Sequence, residues 1–154
     1  MELTGILDPG AIRVLSSVSS KKRLFQAIAD AAHVRYGLDP ATTVEALLDR
    51  EGLGPTGVGH GVALPHARLP DLERVVGIFV LLEKPIDFGA VDRQPVDVAF
   101  ALFAPEEAGV EHLKALALVS RTLRSASLCA KLRANPDPAT LYAILLEAHP
   151  SQAA

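Results

Sequence analysis

Apolar residues recur along the chain with two different periods, and the changes of period divide it into three parts. From Ser19 or Ser20 to about residue 36, Leu24, Ile28 and Ala31 share one helical face, with a capping serine before them and Gly37 as the stop. Asp39 followed by Pro40 is a second helix start, a capping side chain and then a proline at the first helical position, with Val44, Leu47 and Leu48 turned inward and Gly52 at the end. Arg50 therefore belongs to the carboxyl end of that helix.

The period then shortens. Residues 61–64, 75–82 and 96–103 are short runs rich in β-branched and aromatic side chains, bounded by Pro65, Pro70, Pro85, Pro95 and Pro105. The latter two are apolar at nearly every position, as expected of strands covered on both faces. A further strand is expected over residues 11–15. The last third returns to helices over residues 111–123, about 125–132, and from Asp137-Pro138 to about residue 148. Helices, strands and helices again predict an α/β protein, a three-layer sandwich with helices on both faces of a sheet.

Composition narrows this picture. A chain of 154 residues is about one domain long, a size that buries roughly 68 to 70% of its unfolded surface. One domain over residues 1–149 and a loose tail over 150–154 are expected. Trp is absent and aromatics are few, so Leu, Val, Ile and Ala fill the core. The formal charge is -3 and the only basic cluster is Lys21-Lys22-Arg23, which is not the footprint of a nucleic-acid binder. No apolar run approaches the ~20 residues of a membrane span, and the amino terminus has no secretory pattern. The lone Cys129, set among Leu128, Ala130 and Leu132, reads as a buried thiol, and the protein as cytoplasmic.

The chemistry concentrates in residues 50–68, R-E-G-L-G-P-T-G-V-G-H-G-V-A-L-P-H-A-R. Five glycines over ten residues lead to a short apolar run that ends in Pro65 and His66. Imidazole, with an ordinary pKa of about 6.5, keeps one ring nitrogen free to act as a nucleophile near neutral pH. Glycines can take positive φ and turn N–H groups toward an anion. Arg50 and Arg68 flank the segment with guanidinium groups that match phosphate oxygens two at a time. The combination points to a phosphoryl group at His66, with Thr56, Gly57, Gly59, His60 and Gly61 as its binding loop. Thr56 is either a hydroxyl donor to the anion or a turn-stabilising residue. His112, at a helix start, is held neutral by the helix dipole and suited to donate one hydrogen bond, although spacing alone equally describes an exposed histidine.

Other chemistries fit less well. His60 and His66 would begin a zinc site, but no closely spaced third ligand completes it, so no metal is expected. The glycines lead into a strand and lack the Gly-Lys-Ser/Thr of a P-loop, which argues against a nucleotide. No nucleophile elbow surrounds Ser120, Ser125 or Ser127. His33 and His149 read as ordinary helix residues.

The segment Arg50-Glu51, Thr56-Gly57-Val58-Gly59, Gly61-Val62-Ala63-Leu64-Pro65-His66 resembles the active-site signature of enzyme IIA of the fructose/mannitol class of the bacterial phosphoenolpyruvate-dependent phosphotransferase system. The resemblance continues through Gln94-Pro95-Val96-Asp97, Leu102-Phe103-Ala104-Pro105 and His112-Leu113 into the final helices, and is greatest to the nitrogen-regulatory branch. It implies a mixed five-stranded sheet. It implies that His66 accepts a phosphoryl group from phosphorylated HPr or its nitrogen-branch paralogue, with His112 and Arg50 stabilising the phosphorylated ring, and that no cofactor takes part. A regulatory output is the expectation; a separate sugar-specific IIB recipient, or a purely regulatory docking role, is the alternative. His60 stands where that branch is expected to carry asparagine.

Overall fold

In the computed structural model, which describes residues 1–147, the strands are longer and more numerous than the apolar runs suggest. A 3-10 turn at Leu3–Gly5 leads into β1 (Leu7–Leu15), followed by α1 (Lys21–Tyr36) and α2 (Pro40–Glu51). Three short strands come next, β2 (Gly57–Gly59), β3 (Val62–Ala63) and β4 (His66–Leu69), and then the long pair β5 (Val76–Ile86) and β6 (Val96–Pro105). The chain continues with α3 (Gly109–Leu123), α4 (Ala126–Ala134) and α5 (Pro138–Glu147). The expected helix end at residue 148, His149 and the tail 150–154 lie outside the described residues.

The helix starts follow local chemistry. Ser20 Oγ accepts the Arg23 amide at 3.1 Å to open α1, and Asp39 accepts the Thr42 amide at 2.9 Å ahead of Pro40 to open α2. Gly37, at φ 74°, closes α1 in the left-handed conformation that glycine takes without strain. The inward face of α2 differs from the expected one. Thr43 and Leu47 are buried, whereas Val44 and Leu48 are half-buried on the flank toward α1. Thr43 can occupy the interior because its hydroxyl donates to the Asp39 carbonyl at 2.7 Å.

The sheet is mixed. β1 and β5 run parallel, β5 and β6 antiparallel, β3 and β4 both parallel to β6, and β2 antiparallel to β3. β3 and β4 lie end to end along β6, with Val62 beside Val98 and His66 beside Leu102. Six hydrogen-bonded strands thus fill five positions, and Pro65, which has no N–H to donate, falls in the break between β3 and β4. Residues Val76 to Leu82 are buried on both strand faces, so helices cover the sheet on both sides. α1 packs on β1 and β5, α2 on β4, α3 on β6, and α5 on β1.

One proline boundary proves softer than expected, and one strand starts earlier. β5 continues through Pro85 because Glu83, Lys84 and Pro85 are exposed there and the pairing shifts register, so the missing donor is not needed. β1 begins at Leu7, four residues before the expected strand: Asp8-Pro9-Gly10, a turn by composition, forms an irregularity in the pairing with β5 between Leu7 and Ile12.

Candidate functional site

The break after β3 determines how His66 is held. Leu64 donates its amide to the Thr56 carbonyl at 2.9 Å, and the Pro65 carbonyl accepts the Leu102 amide at 2.9 Å, so the backbone ahead of His66 is fixed from both sides. The ring then lies half-buried over that segment, with Nδ1 2.9 Å from the Leu64 carbonyl. A carbonyl can only accept, so Nδ1 carries the proton. Arg50 Nε lies 3.2 Å from the other ring nitrogen, and guanidinium can only donate, so Nε2 presents its lone pair. Both neighbours specify one tautomer, a neutral imidazole with a nucleophilic Nε2.

Charge and burial favour the same form. Burial, and secondarily the Arg50 charge, push the His66 pKa below its ordinary value, partly opposed by the Leu64 hydrogen bond and the negative charge of Glu51. His112 enters from the first turn of α3, its ring centroid 5.5 Å from that of His66 and inclined by 68°. Burial first, then the repulsion that a protonated ring would meet from a protonated His66 and from the Arg68 guanidinium, lowers its pKa to about 4. Its Nδ1 is buried without a hydrogen-bond partner. Such an orphan costs free energy unless a ligand satisfies it, and it belongs to the ring that packs edge-on against His66. The sequence identified the helix start; the burial that makes His112 neutral comes from the packing of α3 on β6.

These groups share a cleft of about 640 Å³, lined also by Leu53, Ala67, Arg68, Leu113 and Leu116. Leu53 and Leu113 are 84% and 64% exposed, giving it an apolar rim. Asp49 is the sole carboxylate of the lining. Arg68, expected to flank the anion, lines the cleft while donating to the Glu106 carbonyl at 3.2 Å.

The glycine segment requires a correction. Gly57, Gly59, His60 and Gly61 do not line the His66 cleft; they form the β2–β3 hairpin, where Gly59 pairs with Val62. His60 and Gly61, at φ 57° and 81°, are its two loop residues, the geometry of a two-residue turn in which both positions need positive φ. In this fold the positive φ of Gly59, His60 and Gly61 shapes the hairpin. His60 stands where such turns favour asparagine because its short polar side chain tolerates left-handed φ, and histidine shares that tolerance in part. Thr56 is likewise committed: it is buried, and its hydroxyl and amide donate to Glu51 at 2.6 and 3.1 Å.

Sequence reasoning missed the partner of Thr56. Glu51 also takes an ion pair from Lys21 at 2.8 Å, and Lys21 sits 4.4 Å above the Phe88 ring. This cluster ties the end of α2, and so Arg50, to the strand leading to His66. Nothing in spacing joins residues thirty positions apart. Among the described residues no three His, Cys, Asp or Glu side chains gather as a metal site, and no helix is long and apolar enough to cross a membrane.

The α/β sandwich thus holds a neutral histidine, with a lone pair at Nε2, between an arginine and a second, buried histidine. The chain belongs to the family described as phosphoenolpyruvate-dependent sugar phosphotransferase system, EIIA 2, whose profile matches residues 5–148, and it is a component of that system. It is 46% identical over 145 residues to a nitrogen regulatory protein of Bradyrhizobium diazoefficiens, covering 94% of this chain and 95% of the relative. It is 40% identical over 148 residues to the nitrogen regulatory protein of Escherichia coli, covering 96% and 91%. The crystal structure of nitrogen regulatory protein IIA-Ntr from Neisseria meningitidis superimposes with a TM-score of 0.86 at 34% identity, over 93% of this chain and 98% of that one.

Proposed function

We propose that this protein is a phosphocarrier that accepts a phosphoryl group on Nε2 of His66 and uses its phosphorylation state as a regulatory signal. The observation that carries the reading is the tautomer: Nδ1–H held by the Leu64 carbonyl and Nε2 free apart from the Arg50 donor. The Nε2 lone pair forms the new N–P bond as the donor histidine's P–N bond breaks, and the departing imidazole takes the bonding pair. Positive charge that develops on the His66 ring is offset at Nδ1–H by the Leu64 carbonyl dipole. Arg50 shifts its donation from Nε2 to the arriving phosphoryl oxygens. His112, neutral and unpartnered at Nδ1, donates to another of those oxygens. Positioning and charge stabilisation dominate such a transfer.

The donor is phosphorylated HPr or its nitrogen-branch paralogue, docking in the cytoplasm over the apolar rim of Leu53 and Leu113. A phosphate between those side chains adds negative charge to an apolar face, which is how phosphorylation switches an interface. The regulatory output is supported by the similarity to nitrogen regulatory proteins across almost the whole chain. Incubation with phosphoenolpyruvate, enzyme I and the HPr of either branch yields an acid-labile phosphoprotein, and His66→Ala abolishes it. Persistent labelling of that variant at the same site overturns the assignment. Phosphate passing efficiently to a separate IIB domain overturns the purely regulatory output while leaving the phosphocarrier intact.

A further inference from the structure

A second cavity of about 640 Å³ lies on the other side of Leu64, between the β2–β3 hairpin and helices α3 and α4. This is within the range of small-molecule sites, roughly 300 to 1,000 Å³. Its floor is apolar: Val62, Leu64, Leu123 and Cys129 are all buried. The Cys129 thiol does not change that character, because its hydrogen bonds the Leu123 carbonyl at 3.3 Å and burial raises its pKa.

The rim is polar and one-sided in charge. Arg124 and Arg133 stand there with His60 and Ser120, and no carboxylate belongs to the lining, although the chain as a whole is acidic. Arg133 is already neutralised by Asp97 at 2.9 Å and also donates to the His60 carbonyl. Arg124 makes no ion pair or side-chain hydrogen bond among the described residues. One uncompensated cation above an apolar floor matches one negative charge on a compact apolar body.

We propose that this cavity binds a small amphipathic carboxylate, its charge on Arg124 and its body on the Val62, Leu64, Leu123 floor, and that occupancy is transmitted to His66. The route is short. The Leu64 side chain is part of the floor, while its carbonyl holds the His66 Nδ1–H at 2.9 Å. α3 supplies Ser120 and Leu123 to the cavity, with Arg124 capping its carboxyl end, and His112 to the His66 cleft. A ligand packed on the Leu64 side chain thus sits one residue's backbone away from the acceptor that fixes the His66 tautomer, and changes the environment of that hydrogen bond.

The test uses the unphosphorylated full chain, so its outcome is separate from whether His66 carries phosphate. Naphthoate, a carboxylate on a flat apolar ring system, is titrated while backbone amide and histidine ring nitrogen resonances are followed by NMR. Saturable shifts are expected at Val62, Leu123 and Cys129, accompanied by movement of the His66 ring nitrogens. Arg124→Ala, and separately Ala126→Phe at the exposed cavity mouth, should each weaken binding by about tenfold or more, the scale of one charge-assisted contact. The neutral amide of the same ring should bind correspondingly less well. Absence of saturable binding, equal binding by both variants, equal binding of the neutral amide, or unmoved His66 ring resonances would each overturn the proposal.

Discussion

The β2–β3 hairpin and the start of β4 are neighbours in sequence, carry a histidine each, and are built in opposite ways. At the hairpin the backbone is unusual and the side chain incidental: His60 is exposed with positive φ, and it is its amide and carbonyl that are used, by Asp92 and Arg133. At β4 the backbone is an ordinary strand and the side chain is everything: both His66 nitrogens are engaged and a buried second ring waits beside it. Glycine density therefore reports where a chain must turn tightly. A reactive site is reported by side-chain polar atoms that the fold leaves available.

The sharpest way to break this contrast is to exchange the fates of the two histidines. His66→Ala should lose phosphoryl acceptance completely, whereas His60→Ala should be labelled like the unaltered protein; radiolabel transfer from phosphorylated HPr measures both. Loss of labelling in the His60 variant, with its fold intact by circular dichroism, would return the hairpin to the active site. Next in size, Arg50→Ala and His112→Ala should each slow transfer on the order of a hundredfold in rapid-quench kinetics, as removal of a preorganised donor does. Unchanged rates in both would remove their assigned roles.

The hairpin answers to stability instead. A Cβ at Gly61 would lie 2.5 Å from Arg133 Nη2 and at a φ of 81°. Gly61→Ala should cost about 1–3 kcal/mol in denaturant unfolding without abolishing labelling at His66. A smaller effect separates the regions by pH. His112 has a folded pKa of about 4 against an ordinary 6.5, and that of His66 is also lowered, so the unfolded chain binds more protons between those values. Their contribution to stability is complete above about pH 6.5 and lost as pH falls toward 4; unfolding of His112→Gln should show a shallower acid slope. Smallest of all, His60→Asn should change stability by no more than about 0.5 kcal/mol, in the stabilising direction if the turn geometry governs that position.

The legibility of the molecule varied in the same way. The caps at Ser20 and Asp39 and the doubly buried runs of β5 and β6 were readable because each depends on residues within a few positions of one another. The early start of β1 and the passage of β5 through Pro85 were not, since pairing with a distant strand overrode the local turn and breaker signals. Within the site, His66 was legible as a candidate from residue type and from the resemblance of its surrounding motif. The hairpin was not legible, because the same glycines suit a ligand cradle and a tight turn equally well. Glu51 belonged to the motif, but nothing in the sequence showed it as the anchor of Thr56 and Lys21.

By itself the sequence determined the family and the three-part order of elements, and it singled out His66 as the candidate, because these rest on local propensity and on motif residues fixed in the chain. Only the tertiary structure decided which nitrogen of His66 carries the proton and which the lone pair, that His112 is buried and unsatisfied at Nδ1, and that Gly59 and the hairpin turn border a second cavity. A tautomer and a lowered pKa are properties of surroundings, and α2, α3 and β4 assemble those surroundings from residues far apart in the chain.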